Sequence, residues 1–266
     1  MFTPAHRGGS GPPLVLLHGF TGTWRAWELV LEPLERAHDV WAPTLPGHAG
    51  GPPLHGDVSA SAVLDGVERA MDAAGLATAH IAGNSLGGHL ALGLAARGRA
   101  RSVVALAPAG GWAPGDASYR ETMGHFTTML AQLRTLAPHA DAIAATAEGR
   151  RRATTFIAER SEHIPAGLVV HQILGAARCV AADAMIATAL RDGIEAWALD
   201  AQRIACPVRI VWGTEDRLLP WPSAAARYRR DWLPHADWVE LDGIGHCPQL
   251  DVPLETAQLI LGFTAR

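Results

Sequence analysis

The chain has 266 residues, 48% hydrophobic and 18% charged, which suits one globular unit with a full core. A net charge of −4 and a pI near 6.3 exclude the strongly basic surface that nucleic acid or an anionic membrane selects. Cys179, Cys206 and Cys247 are too few and too scattered for a disulfide framework or a zinc site, and no apolar run reaches the ~18 residues of a membrane span.

The opening residues, Met1 to Arg7, lack the basic-then-apolar order of a signal peptide, so a cytoplasmic, reducing location is expected. The first β-like run is Leu14–Leu17, and His18-Gly19-Phe20 follows it. A helical pattern covers Trp24–Ala37, where Trp24 and Trp27 read as core or cap contacts. The run Asp39–Ala42 leads into the Gly/Pro-rich piece Leu45–Gly56, which is a loop. Ser59–Ala74 reads as a helix, His80–Gly83 as a strand and Leu86–Arg97 as a helix. Further strands are expected at Ser102–Leu106, Val208–Trp212 and Trp238–Leu241. Most of these runs are continuously apolar, as strands covered on both faces must be. Strand, helix and strand in this rhythm make a parallel sheet with helices on both sides.

The rhythm breaks between Gly111 and Trp197. Helix follows helix there, with Pro138 and Pro165 as interruptions and no strand pattern. Helices inserted into a parallel sheet sit over the edge where its loops emerge. Residues 111–197 are therefore expected to form a cap on a core built from 1–110 and 198–266.

Gly83-Asn84-Ser85-Leu86-Gly87 fits G-x-S-x-G. With eight serines and 28 glycines, chance produces this spacing ~0.09 times per chain, so context must carry it. An apolar strand precedes it and a helix follows. A sharp strand-to-helix turn needs glycine beside it and leaves the serine hydroxyl exposed at its tip. An ordinary serine N-cap also accounts for Ser85, but not for Gly83, Gly87 and Gly88 together.

A serine hydroxyl needs a base, and the base needs a group to orient it. Asp216 lies a few residues past the strand in "VWGTEDRLLP", and His246 lies in the loop "LDGIGHCPQLDVP". The order Ser…Asp…His matches one known triad arrangement, and strand ends of a parallel sheet share one edge. Charge developing on a carbonyl oxygen needs two fixed donors. The amides of Phe20 and Leu86 are the candidates, each worth about 3–4 kcal/mol at such a site.

The blocks "LLHGFTG", "AGNSLGG", "WGTEDRLLP" and "GIGHCPQLDVP" together resemble the α/β-hydrolase superfamily and span nearly the whole chain. The resemblance implies an α/β-hydrolase fold: a mostly parallel, twisted sheet of about seven strands flanked by helices, with the family's usual first strand missing and an all-helical cap inserted. It implies a Ser85 nucleophile, an Asp216 acid and a His246 base. The stretch "APTLPGHAGG" resembles the family's loop after the next strand, with Thr44 where the family usually carries an aspartate.

Other residues have plainer readings. Glu215 is a solvated loop residue behind Asp216, and Asp242 a turn former. His18 fixes the oxyanion loop by hydrogen bonding, His89 is structural, and Cys247 is packing with no elbow around it. Trp112, Met123, Phe126 and Met129 are the candidate pocket residues. Met123, Phe126, Met129 and Leu130 make a helical stripe, which on a cap would also roof the site. Arg150–Arg152 is a solvated charge run.

The expected function is a serine hydrolase cleaving carboxylic esters of small to medium apolar substrates, as a monomer or homodimer, with no metal or organic cofactor. Carbon–carbon bond hydrolysis of a meta-cleavage-type diketone is the second reading, because "GNSLGG" also resembles that subgroup. No Asn-Trp-Arg-like triplet for the substrate's acid group occurs in the cap. Epoxide and haloalkane hydrolases need a carboxylate where Ser85 stands. A ligand-sensing protein on a hydrolase scaffold is the reading from outside catalysis.

Overall fold

The computed structural model describes residues 1–54 and 56–265; His55, inside the predicted Leu45–Gly56 loop, lies outside the described residues. Among the described residues seven strands form one sheet: β1 (Ala5–Gly9), β2 (Pro13–Leu17), β3 (Asp39–Pro43), β4 (Ala79–Asn84), β5 (Ala100–Leu106), β6 (Val208–Gly213) and β7 (Asp237–Leu241). Their order is β1-β3-β2-β4-β5-β6-β7, parallel throughout except for β1, which runs antiparallel to β3. The six apolar runs read from the sequence each match a strand to within two residues, and one strand precedes them.

Alternation along the strands separates two cores. Val15, Leu17, Ile81, Val103 and Ile210 face α2 (Ala60–Ala73) and α3 (Leu86–Ala96). Leu14, Leu16, Val104, Leu106 and Val211 face the opposite layer, with Trp27, Ile260 and Phe263. The single-turn α9 (Pro248–Asp251) and the longer α10 (Pro253–Thr264) follow β7, and α10 carries Ile260 and Phe263 into that second layer.

The expected helix Trp24–Ala37 is instead a 3₁₀ segment, Trp24–Val30, followed by the short α1 (Leu31–Glu35). Pro33, inside α1, lacks the N–H that a continuous α-helix would pair with the Leu29 carbonyl, so the ladder is broken there. Three-residue periodicity puts Trp27 and Val30 on one buried side of the 3₁₀ segment.

Between β5 and β6 the described residues contain no strand. The segment holds α4 (Ser118–Leu136), α5 (Ala140–Ala144), α6 (Ala147–Thr154), α7 (Ala166–Ala177) and α8 (Ala182–Asp192), then a 3₁₀ turn to Trp197. Pro138 sits in a 3₁₀ turn after α4, and Pro165 is the N-cap of α7. Met123, Phe126 and Leu130 are buried on α4, as helical spacing predicts. These helices have a core of their own, in which Leu168, Val169 and Ile173 pack against Cys247 and Leu250 beyond β7. No single helix among the described residues is long and apolar enough to cross a membrane.

Several buried histidines bear on stability. Burial pushes His48, His89 and His171 down to about 4, and burial followed by the nearby His48 holds His18 well below 6.5. The unfolded chain therefore binds more protons than the folded one as pH falls below 6.5. Stability contributed by these neutral rings is full above that pH and is lost as pH drops through about 4, on the order of a few kcal/mol in all. Thermal unfolding followed from pH 7.5 to 4 should show the midpoint falling steeply below pH 6. A flat profile would mean that these rings already carry protons in the fold.

Candidate active site

Ser85 stands between β4 and α3 with φ 56° and ψ −117°, a left-handed backbone that a side chain adopts only when its surroundings compel it. Its N–H donates to Leu106 O (2.9 Å), and its carbonyl accepts from His89 N (3.1 Å) and Ala109 N (3.0 Å). The neighbouring glycines are sterically required. A Cβ on Gly83 would lie 2.1 Å from Gly87 O, and one on Gly87 would lie 2.1 Å from Leu17 O. A Cβ on Gly88 would press on the Pro108 backbone at 3.0 Å. The turn is thus packed shut on three sides, with the serine side chain at its tip.

The parallel register brings other loops to the same edge. Leu17 pairs with Gly83, Asn84 with Leu106, Leu106 with Val211, and Gly213 with Leu241. Beyond β6, buried Asp216 accepts from Leu218 N (2.9 Å) and Leu219 N (2.8 Å) through Oδ1. Its Oδ2 lies 2.7 Å from His246 Nδ1. A carboxylate only accepts, so the imidazole carries its proton on Nδ1 and presents a lone pair at Nε2. Glu215 faces solvent, and exposed Asp242 meets Thr214 Oγ1 at 3.4 Å. Ser85 and His246 line one cavity. Among the described residues no hydrogen bond joins the Ser85 hydroxyl to the His246 ring, a contact that in apo enzymes often tightens only with substrate.

His18 ties the loop after β2. Its Nδ1 donates to Gly19 O (2.8 Å), and its Nε2 accepts from Leu45 N (2.8 Å), which links that loop to the one after β3. Gly19 crosses close over the serine, where a Cβ would stand 3.2 Å from Ser85 Cβ. The first N–H groups of α3, Leu86 among them, have no intrahelical acceptor. Thr44 anchors its loop, donating through Oγ1 to Thr3 O (3.1 Å) while its N–H reaches Pro4 O (2.8 Å). His89 donates through Nδ1 to Tyr228 Oη (3.0 Å), which in turn donates to Ala109 O (2.6 Å).

Two bracing residues escaped the sequence reading. Asn84, beside the serine, donates through Nδ2 to His246 O (3.0 Å) and Leu106 O (3.2 Å), and accepts at Oδ1 from Gln249 Nε2 (3.1 Å) and Cys247 Sγ (3.2 Å). Burial pushes the Cys247 thiol up, away from the thiolate a nucleophile needs. Buried Asp251 accepts from Gly245 N (2.7 Å), Glu159 N (3.0 Å) and Arg160 N (2.6 Å), binding the histidine loop to the helical segment. A single asparagine or aspartate carries no periodic signal, so only the fold reveals these braces.

Asp251→Ala would leave three backbone donors without an acceptor. A loss of about 3 kcal/mol is expected in chemical denaturation, because the histidine loop loses its tie to the helical segment. Unchanged stability would show that water replaces the carboxylate.

Two cavities meet at Ser85. The larger, about 540 Å³, takes in Phe20, Phe126, Met129 and His246; the smaller, about 60 Å³, takes in Leu86, Trp112 and Met123. Phe20 and Phe126 line both, edge to face with centroids 5.4 Å apart. All four candidate pocket residues therefore reach a cavity beside the serine, but they divide between two. The larger one is also lined by Leu133, which continues the α4 stripe by one turn, and by Ile157 and Ile173, which lie outside α4. Arg152, from the charge run, lines its mouth with a side chain 80% exposed and paired with Glu148.

The sequence profile described as "Alpha/beta hydrolase family" matches residues 14–259. Epoxide hydrolase EphH of Mycobacterium tuberculosis is 34% identical over 211 residues, 77% of this chain and 95% of that protein. Among solved structures, a membrane phospholipase A described as a bacterial virulence factor superposes with a TM-score of 0.74 at 26% identity, over 98% of this chain and 81% of that one. A meta-cleavage product hydrolase from Pseudomonas fluorescens superposes with a TM-score of 0.71 at 20% identity, over 98% and 93%.

Proposed function

The chain belongs to the alpha/beta hydrolase family, and within it we propose a serine hydrolase that cleaves carboxylic esters of small to medium apolar substrates through an acyl-enzyme on Ser85. The observation that carries this is the strained Ser85 turn opening on the cavity that His246 lines, with Asp216 holding the imidazole Nδ1 at 2.7 Å. In this reading His246 takes the serine proton through Nε2 as Oγ attacks the carbonyl. The amides of Phe20 and Leu86 receive the oxyanion. His246 then protonates the departing alcohol, and water cleaves the acyl-enzyme with His246 again as base. The helices between β5 and β6 serve as the cap that shapes the substrate space.

Epoxide opening, the activity in the name of the 34% identical relative, does not fit the residues present. A serine attacking an epoxide would form an ether, which water cannot release, whereas a carboxylate forms an ester, which it can. Among the described residues no Asp or Glu lines either cavity. Carbon–carbon hydrolysis of an acidic diketone calls for a cation inside the site, and exposed, Glu148-paired Arg152 does not provide it.

Fluorophosphonate labelling with peptide mapping, together with p-nitrophenyl acetate turnover, tests the proposal. Rapid modification at Ser85 with steady ester turnover is expected. Folded protein that neither labels nor turns over ester would instead be a ligand sensor on this scaffold.

A further inference from the structure

Resting on the ester reading, we propose that the two cavities sort the limbs of the substrate: a short acyl group, of two or three carbons, enters the small one, and a much larger apolar alcohol enters the large one. The Phe20–Phe126 pair lines both and forms a partition, and Ser85 stands where they meet. The carbonyl carbon must lie at that junction, with its two substituents on opposite sides.

The position of the base decides which limb goes where. His246 lines the large cavity and not the small one, while Leu86, whose amide faces the oxyanion, lines only the small one. During acylation, Ser85 Oγ bonds the carbonyl carbon, the bond from that carbon to the alkoxy oxygen breaks, and the oxygen leaves with the proton His246 took from Ser85. The departing oxygen must therefore be within reach of His246, so the alcohol occupies the large side. The acyl group is left facing Trp112, Met123, Ile186 and Leu219.

Size does the rest. The small cavity, about 60 Å³, is well below the ~150 Å³ that accommodates a benzene ring. Its walls are packed: Trp112, Met123 and Ile186 are all buried. The large cavity, about 540 Å³, falls in the range that encloses a drug-sized ligand.

Two ester series on the full-length protein test this. With p-nitrophenol as the constant alcohol and acyl chains from acetyl to octanoyl, kcat/KM should peak at acetate or propionate and fall roughly 100-fold by octanoate. With acetyl as the constant acyl group, kcat/KM should rise from ethyl to octyl and 2-phenylethyl esters. Met123→Ala, or the less buried Met185→Ala, should move the acyl optimum to butyrate or hexanoate and leave the alcohol series in the same order. A wild-type optimum at octanoate, a preference for ethyl over octyl acetate, or an unmoved acyl optimum in both folded variants overturns the sorting while the ester reading stands. Absence of turnover across both series, with Ser85 unlabelled by fluorophosphonate, overturns the ester reading itself.

Discussion

Ser85→Ala is expected to lower kcat for p-nitrophenyl acetate by about 10⁶, to the level left by the oxyanion donors and binding alone. The same change should leave the thermal midpoint within a few degrees of wild type. The serine side chain makes no hydrogen bond among the described residues, while its backbone is held by Leu106, His89 and Ala109 through groups that alanine keeps. The positive φ is equally unfavourable for both residues, so the substitution neither relieves nor adds backbone strain. Activity and stability should therefore separate cleanly. Turnover within tenfold of wild type in a folded Ser85→Ala protein would remove the acyl-enzyme from the mechanism.

Asp216→Asn is expected to lower kcat by ~10⁴ with little effect on folding. The geometry makes this change unusually directed. Oδ1 of the wild-type carboxylate already receives the Leu218 and Leu219 amides, and an asparagine would keep its carbonyl oxygen there. Its Nδ2 would then point at His246 Nδ1, where the carboxylate now accepts at 2.7 Å. Two donors cannot share that contact, so the ring would move its proton to Nε2, and a donor there cannot take the serine proton. Rate measurements with a thermal-unfolding control check this. Glu215→Gln serves as the comparison and should remain near wild type, because Glu215 faces solvent. A large loss in Glu215→Gln with Asp216→Asn nearly intact would exchange their roles.

The pattern of apolar runs, glycines and prolines was enough to read the architecture. Continuous apolar runs identified six strands because strands covered on both faces need no polar alternation. Gly83, Gly87 and Gly88 marked the serine turn because any Cβ there meets backbone. The order of Ser85, Asp216 and His246 named the residues that the fold gathers at one sheet edge. Apolar spacing over Trp24–Ala37 points to one α-helix, but a 3₁₀ segment, Trp24–Val30, forms first, and the missing N–H of Pro33 breaks the α-helical ladder that would join the two parts.

Tertiary structure alone decided how the site is braced and divided. Asn84 joins the serine turn to the histidine loop, and Asp251 joins that loop to the helical segment across 92 positions of chain. Neither contact has a spacing rule, because each depends on where two distant backbones meet in space. The split of the substrate space is of the same kind. Trp112, Met123, Phe126 and Met129 are recognisable as apolar and spaced for a buried face, yet which cavity each one lines depends on the Phe20–Phe126 contact. Periodicity specifies which side of an element is buried; only the packing of several elements sets the shape of the space left between them.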